Sequence, residues 1–218
     1  MKIQAAIFDL DGTLADTIDA IRQSINDTMR QYGYPERSYD EVRRAIGNGA
    51  RNLIRGTLPA ELAQDEALVS RVFSTYQDNY DQNHLATDRC YDGIPQVISD
   101  LHAAGVRLAV LSNKQDRHVR GLVAQLFPNG EFEIAMGQTE LPRKPDPTVP
   151  RMLAARMGVA PECCAFIGDS EVDIRTAKNA GMPSFGCTWG YRDAQLLADE
   201  GADHIADTPE ALCMMLFK

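Results

Sequence analysis

Nowhere does the sequence offer a stretch of ~18 consecutive apolar residues, so no membrane-spanning helix is expected. It also lacks internal repeats and low-complexity segments, which excludes solenoids and disordered arrays. Cysteine is sparse and odd in number. Cys90, Cys163, Cys164, Cys187 and Cys213 show neither paired metal-ligand spacing nor a disulfide framework. Reduced thiols in a cytoplasm fit that pattern, and Met1-Lys2-Ile3-Gln4 runs directly into a strand-like segment without a signal-peptide core. The adjacent Cys163 and Cys164 are expected on opposite faces of a strand, as core filler. Positive charge is in deficit, with 22 Lys and Arg against 31 Asp and Glu for a net charge of −9. This argues against nucleic acid and against an anionic membrane as partners. A small anionic substrate would need a local cluster of cations and amides inside a repelling field.

What the 218 residues do contain is an ordinary globular balance, 44% hydrophobic and 24% charged, enough for one domain or one domain with a large insertion. The apolar run Ile3 to Phe8 predicts a buried strand, and it breaks into Asp9-Leu10-Asp11-Gly12-Thr13-Leu14. In an open parallel sheet, ligands bind beyond the carboxyl ends of the strands. Two acids at i and i+2 fall on one side of an extended segment, where they can share a cation or divide the roles of nucleophile and proton donor. Gly12 lets the backbone turn tightly. An Asp-x-Asp alone is equally a helix start, with Asp11 or Thr13 as cap.

From Asp16 to about Thr87 the pattern is helical. Ile18, Ile21, Ile25 and Met29 recur at helical spacing, and Tyr32-Gly33-Tyr34-Pro35 is a stop signal. Further helices are predicted over Tyr39 to Ile46, after Gly47-Asn48-Gly49, and from about Asp65 to Asn83. The chain then alternates helix and strand to its end. Strands are predicted at Val106–Leu111, Phe132–Met136, Cys163–Ile167, Pro183–Phe185 and His204–Ala206, which implies a parallel sheet covered on both faces. Residues 1–15 with 88–218 are thus expected to form an α/β core, and 16–87 an inserted helical cap.

Three later segments carry chemistry. Leu111-Ser112-Asn113-Lys114 ends a strand with a hydroxyl and free amides suited to a phosphoryl oxygen, although Ser-Asn is also a common turn. In Arg143-Lys144-Pro145-Asp146-Pro147 the prolines stiffen the loop that bears Lys144, favouring a placed charge over a solvated one. Phe166-Ile167-Gly168-Asp169-Ser170-Glu171-Val172-Asp173 ends a strand between two acids that suit a cation or its surroundings, or else cap a helix.

Together, and in this order, the four segments resemble the motifs of the haloacid dehalogenase-type phosphohydrolase superfamily. The resemblance implies a Rossmann-like α/β sheet sandwiched by helices with an all-helical cap. It also implies Mg²⁺-dependent hydrolysis of a small phosphorylated metabolite through an aspartyl-phosphate. Asp9 would be the nucleophile and a metal ligand, and Asp11 the general acid and base, lending its carbonyl to the metal. Lys144 would be catalytic, and it would bind phosphate together with Gly12, Thr13, Ser112 and Asn113. Asp169 would hold the metal, while Asp173 would hold it directly or orient Lys144 or a metal-bound water. The dehalogenases of the superfamily lack a carboxylate at the position of Asp11, so phosphate chemistry is favoured.

Cys187-Thr188-Trp189-Gly190-Tyr191-Arg192, with Gly47-Asn48-Gly49 and Tyr91-Asp92-Gly93, is similar to the phosphoglycolate phosphatase group, implying 2-phosphoglycolate as substrate. Gly47, Asn48, Gly49 and Arg51 are candidates for substrate selection, since a glycine-flanked turn at a helix start presents amides and Arg51 a forked donor. Trp189 and Tyr191 are expected to pack beside the last strands, and Arg192 to support the site entrance. The insertion has no lysine, which disfavours cap-lysine Schiff-base chemistry. The rival readings are a pyrophosphatase or nucleotidase on the same core, a sugar-phosphate mutase, and a non-hydrolytic phospho-Asp switch. His84, His102, His118 and His204 suggest no catalytic group.

Overall fold

The computed structural model describes residues 2–217, apart from the side chains of residues 84–87; the histidine at position 84 therefore falls outside the described side chains. The chain divides into two compact units, Met1–Ala15 with Cys90–Lys218, and Asp16–Arg89.

The first unit is built on a six-stranded, all-parallel sheet. Its strands are β1 (Ala5–Phe8), β4 (Arg107–Gln115), β5 (Ile134–Gln138), β6 (Cys164–Gly168), β7 (Ser184–Cys187) and β8 (His204–Ala206). They lie in the order β5-β4-β1-β6-β7-β8. This is the doubly wound arrangement in which successive strands are added outward from β1 in both directions, with the order reversing between β1 and β6. Strand alternation sorts the core into two layers. Ala6, Phe8, Val110 and Ile167 face one way, onto Ile98 and Leu101 of α5 (Ile94–Ala103) and Leu122 of α6 (Asp116–Leu126). Ala5, Ile7, Leu111 and Phe166 face the other, onto Leu153 of α7 (Thr148–Arg156) and Ala177 of α8 (Glu171–Ala180). The short α9 (Ala194–Asp199) and α10 (Pro209–Leu216) complete the layers.

Several boundaries differ from the sequence expectation. β4 continues past Leu111 through Ser112 and Asn113 to Gln115, with its pairing to β5 shifting register between Leu111 and Gln115. β5 begins at Ile134, because Phe132 turns instead into an edge-to-face cluster with Phe8 and Phe127. Cys163 ends a 3-10 turn, Pro161–Cys163, and only Cys164 is in the strand, so the two thiols do not alternate across a sheet. All five cysteines are free. His118 is buried, and His204 stacks on Phe185.

The second unit is helical: α1 (Ile18–Gln31), α2 (Tyr39–Ala45), α3 (Ala50–Thr57) and α4 (Glu66–Thr87). Ile21, Ile25 and Met29 of α1 and Val69, Val72, Tyr76 and Tyr80 of α4 are its buried stripes. Ser38 and Glu41 form a reciprocal capping box that starts α2. Two short strands, β2 (Ala15–Asp16) and β3 (Arg89–Cys90), pair where the chain leaves and re-enters the sheet unit. Among the described residues no helix is long and apolar enough to cross a membrane.

Candidate active site

Register brings the motifs together. Phe8 pairs with Val110 on one side and Ile167 on the other, so Asp9, Ser112 and Asp169 all emerge at the carboxyl edge around β1. This edge borders the point where the strand order reverses, the place at which a doubly wound sheet opens a crevice.

Three carboxylates converge there. Asp9, Asp169 and Asp173 each present an oxygen within 4.8 Å of the others, and all three are buried. Lys144 lies among them, its ammonium 2.9 Å from Asp9 Oδ1 and 2.7 Å from Asp173 Oδ1. Of these three buried acids two bond the Lys144 ammonium, and the charge of the cluster does not balance. Burial, opposed by Lys144 and helped by Asp173 and Asp11, lifts the Asp9 carboxyl to about 7. Burial, with Asp173 and Asp9 nearby, likewise raises Asp169 well above the ordinary carboxylate range. Burial alone would lower Lys144, but Asp173 and Asp9 override it and hold the ammonium charged.

Each group is held by its neighbours. Asp9 Oδ1 accepts from the amide of Leu10 at 2.7 Å. Asp169 accepts from the hydroxyl of Thr13 at 3.1 Å and from the amide of Tyr191 at 2.7 Å. The side chain of Thr13 therefore orients Asp169. Asp173 Oδ2 accepts from the amide and the hydroxyl of Ser170, closing a capping box at the start of α8, so that Ser170, and not Asp169, is the cap. Asn113 brackets the backbone of Lys144, donating to its carbonyl at 3.2 Å and accepting from its amide at 3.0 Å. That carboxamide fixes the lysine loop against the end of β4. The hydroxyl of Ser112 accepts from the amide of Lys114 at 3.3 Å.

The residues following β7 press onto this floor. A Cβ on Gly190 would come within 2.3 Å of the Gly12 carbonyl oxygen and 2.4 Å of Asp169 Cβ, so only glycine fits there. Gly12 itself has φ +84°, and a Cβ on it would strike the Asp169 carboxylate at 2.5 Å. Trp189, expected merely to pack, donates its indole N–H to the Thr13 carbonyl at 3.1 Å. Arg192 pairs with Glu171 at 3.0 Å.

Lys114, to which the motif pattern assigns no role, also belongs to the site. The ammonium of Lys114 is 2.8 Å from Asp11 Oδ1, and both side chains are largely buried. Its spacing of two from Ser112 was the available signal, since alternate strand residues share a face. In the helical unit, Gly47 and Gly49 take positive φ before α3, and Arg51 bonds Glu66 at 3.1 Å and Ser70 at 2.8 Å.

The family model of haloacid dehalogenase-like hydrolases matches residues 6–187, which span all four motifs. The chain belongs to the haloacid dehalogenase-like hydrolase family. Among its relatives, a phosphoglycolate phosphatase of Pseudomonas putida is 31% identical over 210 residues, covering 94% of this chain and 77% of that protein. One from Vibrio vulnificus is 31% identical over 212 residues, covering 95% and 93%. A crystal structure from Lactobacillus delbrueckii subsp. bulgaricus, provisionally named a phosphoglycolate phosphatase, superimposes with a TM-score of 0.92 at 31% identity, covering 100% of this chain and 99% of that one. This hydrolase thus shares its fold over the whole chain with proteins of that name.

Proposed function

We propose that the chain is a Mg²⁺-dependent phosphatase that hydrolyses a small phosphomonoester, 2-phosphoglycolate, through an aspartyl-phosphate on Asp9. The observation that carries this reading is the convergence of oxygens of Asp9, Asp169 and Asp173 within 4.8 Å of one another, with the ammonium of Lys144 bonded to Asp9 and Asp173. An all-oxygen set of three buried acids with one cation fits a hard divalent ion, and Asp9, Asp169 and the Asp11 carbonyl would hold it, with Asp173 beside them. When bound, Mg²⁺ neutralises the carboxylates and draws charge from the phosphoryl oxygens.

The remaining chemistry belongs to the side chains. The Leu10 amide and the Lys144 ammonium both bond Asp9 Oδ1, which leaves Oδ2 as the attacking atom. Oδ2 bonds to phosphorus as the ester P–O bond breaks, and Asp11 protonates the departing alkoxide. Asp11 then takes a proton from a water that attacks the same phosphorus, which releases phosphate and restores the Asp9 carboxylate. Lys144, Ser112 and the amides after Gly12 and Ser112 stabilise the equatorial oxygens during each in-line transfer. Asn113 serves this by fixing Lys144, and Thr13 by fixing Asp169.

The substrate follows the names of the relatives in Pseudomonas putida and Vibrio vulnificus. Its test is phosphate release from 2-phosphoglycolate, pyrophosphate, nucleoside monophosphates and sugar phosphates, with Mg²⁺ and with chelator, alongside Asp9→Asn. The expected result is Mg²⁺-dependent release that favours 2-phosphoglycolate and falls at least a thousandfold in the variant. Release that survives Asp9→Asn would overturn the mechanism, and preference for another phosphate would overturn the substrate.

A further inference from the structure

We propose that Lys114 is the substrate-specificity residue of the core: its ammonium, seated on Asp11, receives a carboxylate carried by the leaving group. The inference rests on the phosphatase reading and deepens it to α-phosphooxy carboxylates as a substrate class.

The site contains two buried ammonium groups with different neighbours. Lys144 bonds Asp9 and Asp173, on the side where the phosphoryl group is attacked. Lys114 bonds Asp11, 2.8 Å away, with only 8% of its own side chain exposed. Asp11 is the group that hands a proton to the ester oxygen, and a proton donor works within about 2.6–3.2 Å of its acceptor. Where Asp11 Oδ1 hands over the proton, the ammonium lies no more than roughly 6 Å from the ester oxygen. In an α-phosphooxy acid the carboxylate oxygens stand about 3 Å from the ester oxygen, three bonds beyond it, so a leaving group turned toward Lys114 places them within hydrogen-bond reach of its ammonium. An ammonium has three donors and can bridge Asp11 and a second carboxylate.

Charge makes the same demand. A phosphate dianion with an attached carboxylate enters a site of four aspartates in a protein of net charge −9, where an unpaired second anion would be strongly disfavoured. Lys114, seated on Asp11, places a cation beside the group that protonates the leaving oxygen.

The test compares 2-phosphoglycolate with its neutral isostere, the amide 2-phosphoglycolamide, in the wild type, Lys114→Met and Lys114→Gln. Both variants are expected to lose activity through the disturbed Asp11, but kcat/KM for the acid should fall at least tenfold further than for the amide, mostly in KM. Lys114→Arg should recover part of that ratio. An equal fall for acid and amide would reduce Lys114 to a positioning residue for Asp11 and overturn the proposal. Should neither variant fold, product inhibition of the wild type decides: glycolate must inhibit at least tenfold more strongly than glycolamide, and equal inhibition refutes the inference. Mg²⁺-dependent hydrolysis of the amide by the wild type, lost in Asp9→Asn, separates a failure of this inference from a failure of the phosphatase reading.

Discussion

The charge imbalance around Lys144 makes stability depend on pH in an unusual direction. An unfolded aspartate ionises at 3.8, whereas the folded Asp9 carboxyl, lifted mainly by burial, holds its proton to about 7. Between these values the folded state binds more protons at Asp9, so the contribution of this group is complete below 3.8 and is lost as pH rises through about 7. The full difference corresponds to about 4 kcal/mol at 1.36 kcal/mol per pH unit, and about 2.5 kcal/mol of it falls between pH 5 and 7.5. For a chain of this size that loss lowers Tm by roughly 5–10 °C. Thermal unfolding in chelator at the two pH values measures it directly. Adding Mg²⁺ at pH 7.5 should recover most of the loss, because binding to the ionised carboxylates favours the folded state. Asp9→Asn should flatten the slope, with the remainder coming from Asp169, which burial shifts in the same direction. A chelated wild type equally stable at both pH values, or an Asp9→Asn variant with an undiminished slope, would refute the electrostatic account of the site.

Gly190→Ala should abolish turnover and destabilise the protein by several kcal/mol, since the added methyl meets backbone at 2.3 Å; chemical denaturation and phosphate release check both effects. Asn113→Ala leaves the backbone of Lys144 without its two bonds and should cost about 1–3 kcal/mol, with kcat reduced more than KM is raised. Ser38→Ala removes the capping box of α2 in the helical unit and should cost about 1 kcal/mol in denaturation while kcat on any substrate stays within twofold.

Several features were legible in the chain itself because they are local. The continuous apolar runs Ala5–Phe8 and Cys164–Gly168 fit strands buried on both faces of a covered parallel sheet, and the helical spacing of Ile18, Ile21, Ile25 and Met29 needs no partner to be recognised. Acids at strand ends likewise announced themselves by type and position. Partner choice was not local. That Thr13 bonds Asp169, that Asn113 grips Lys144, and that Lys114 reaches Asp11 each joins residues between 31 and 156 positions apart. No periodicity encodes such pairs, because they depend on strand order and register. Gly190 shows the same division. In sequence it is one glycine beside a tryptophan, and only the approach of its segment to Gly12 and Asp169 reveals that no side chain can stand there. The sequence by itself determined which elements form and which chemical groups they carry to the sheet edge, since hydrophobic period and residue type act within a few positions. Tertiary structure alone decided which of those groups meet, because burial in one crevice sets their charges and partners.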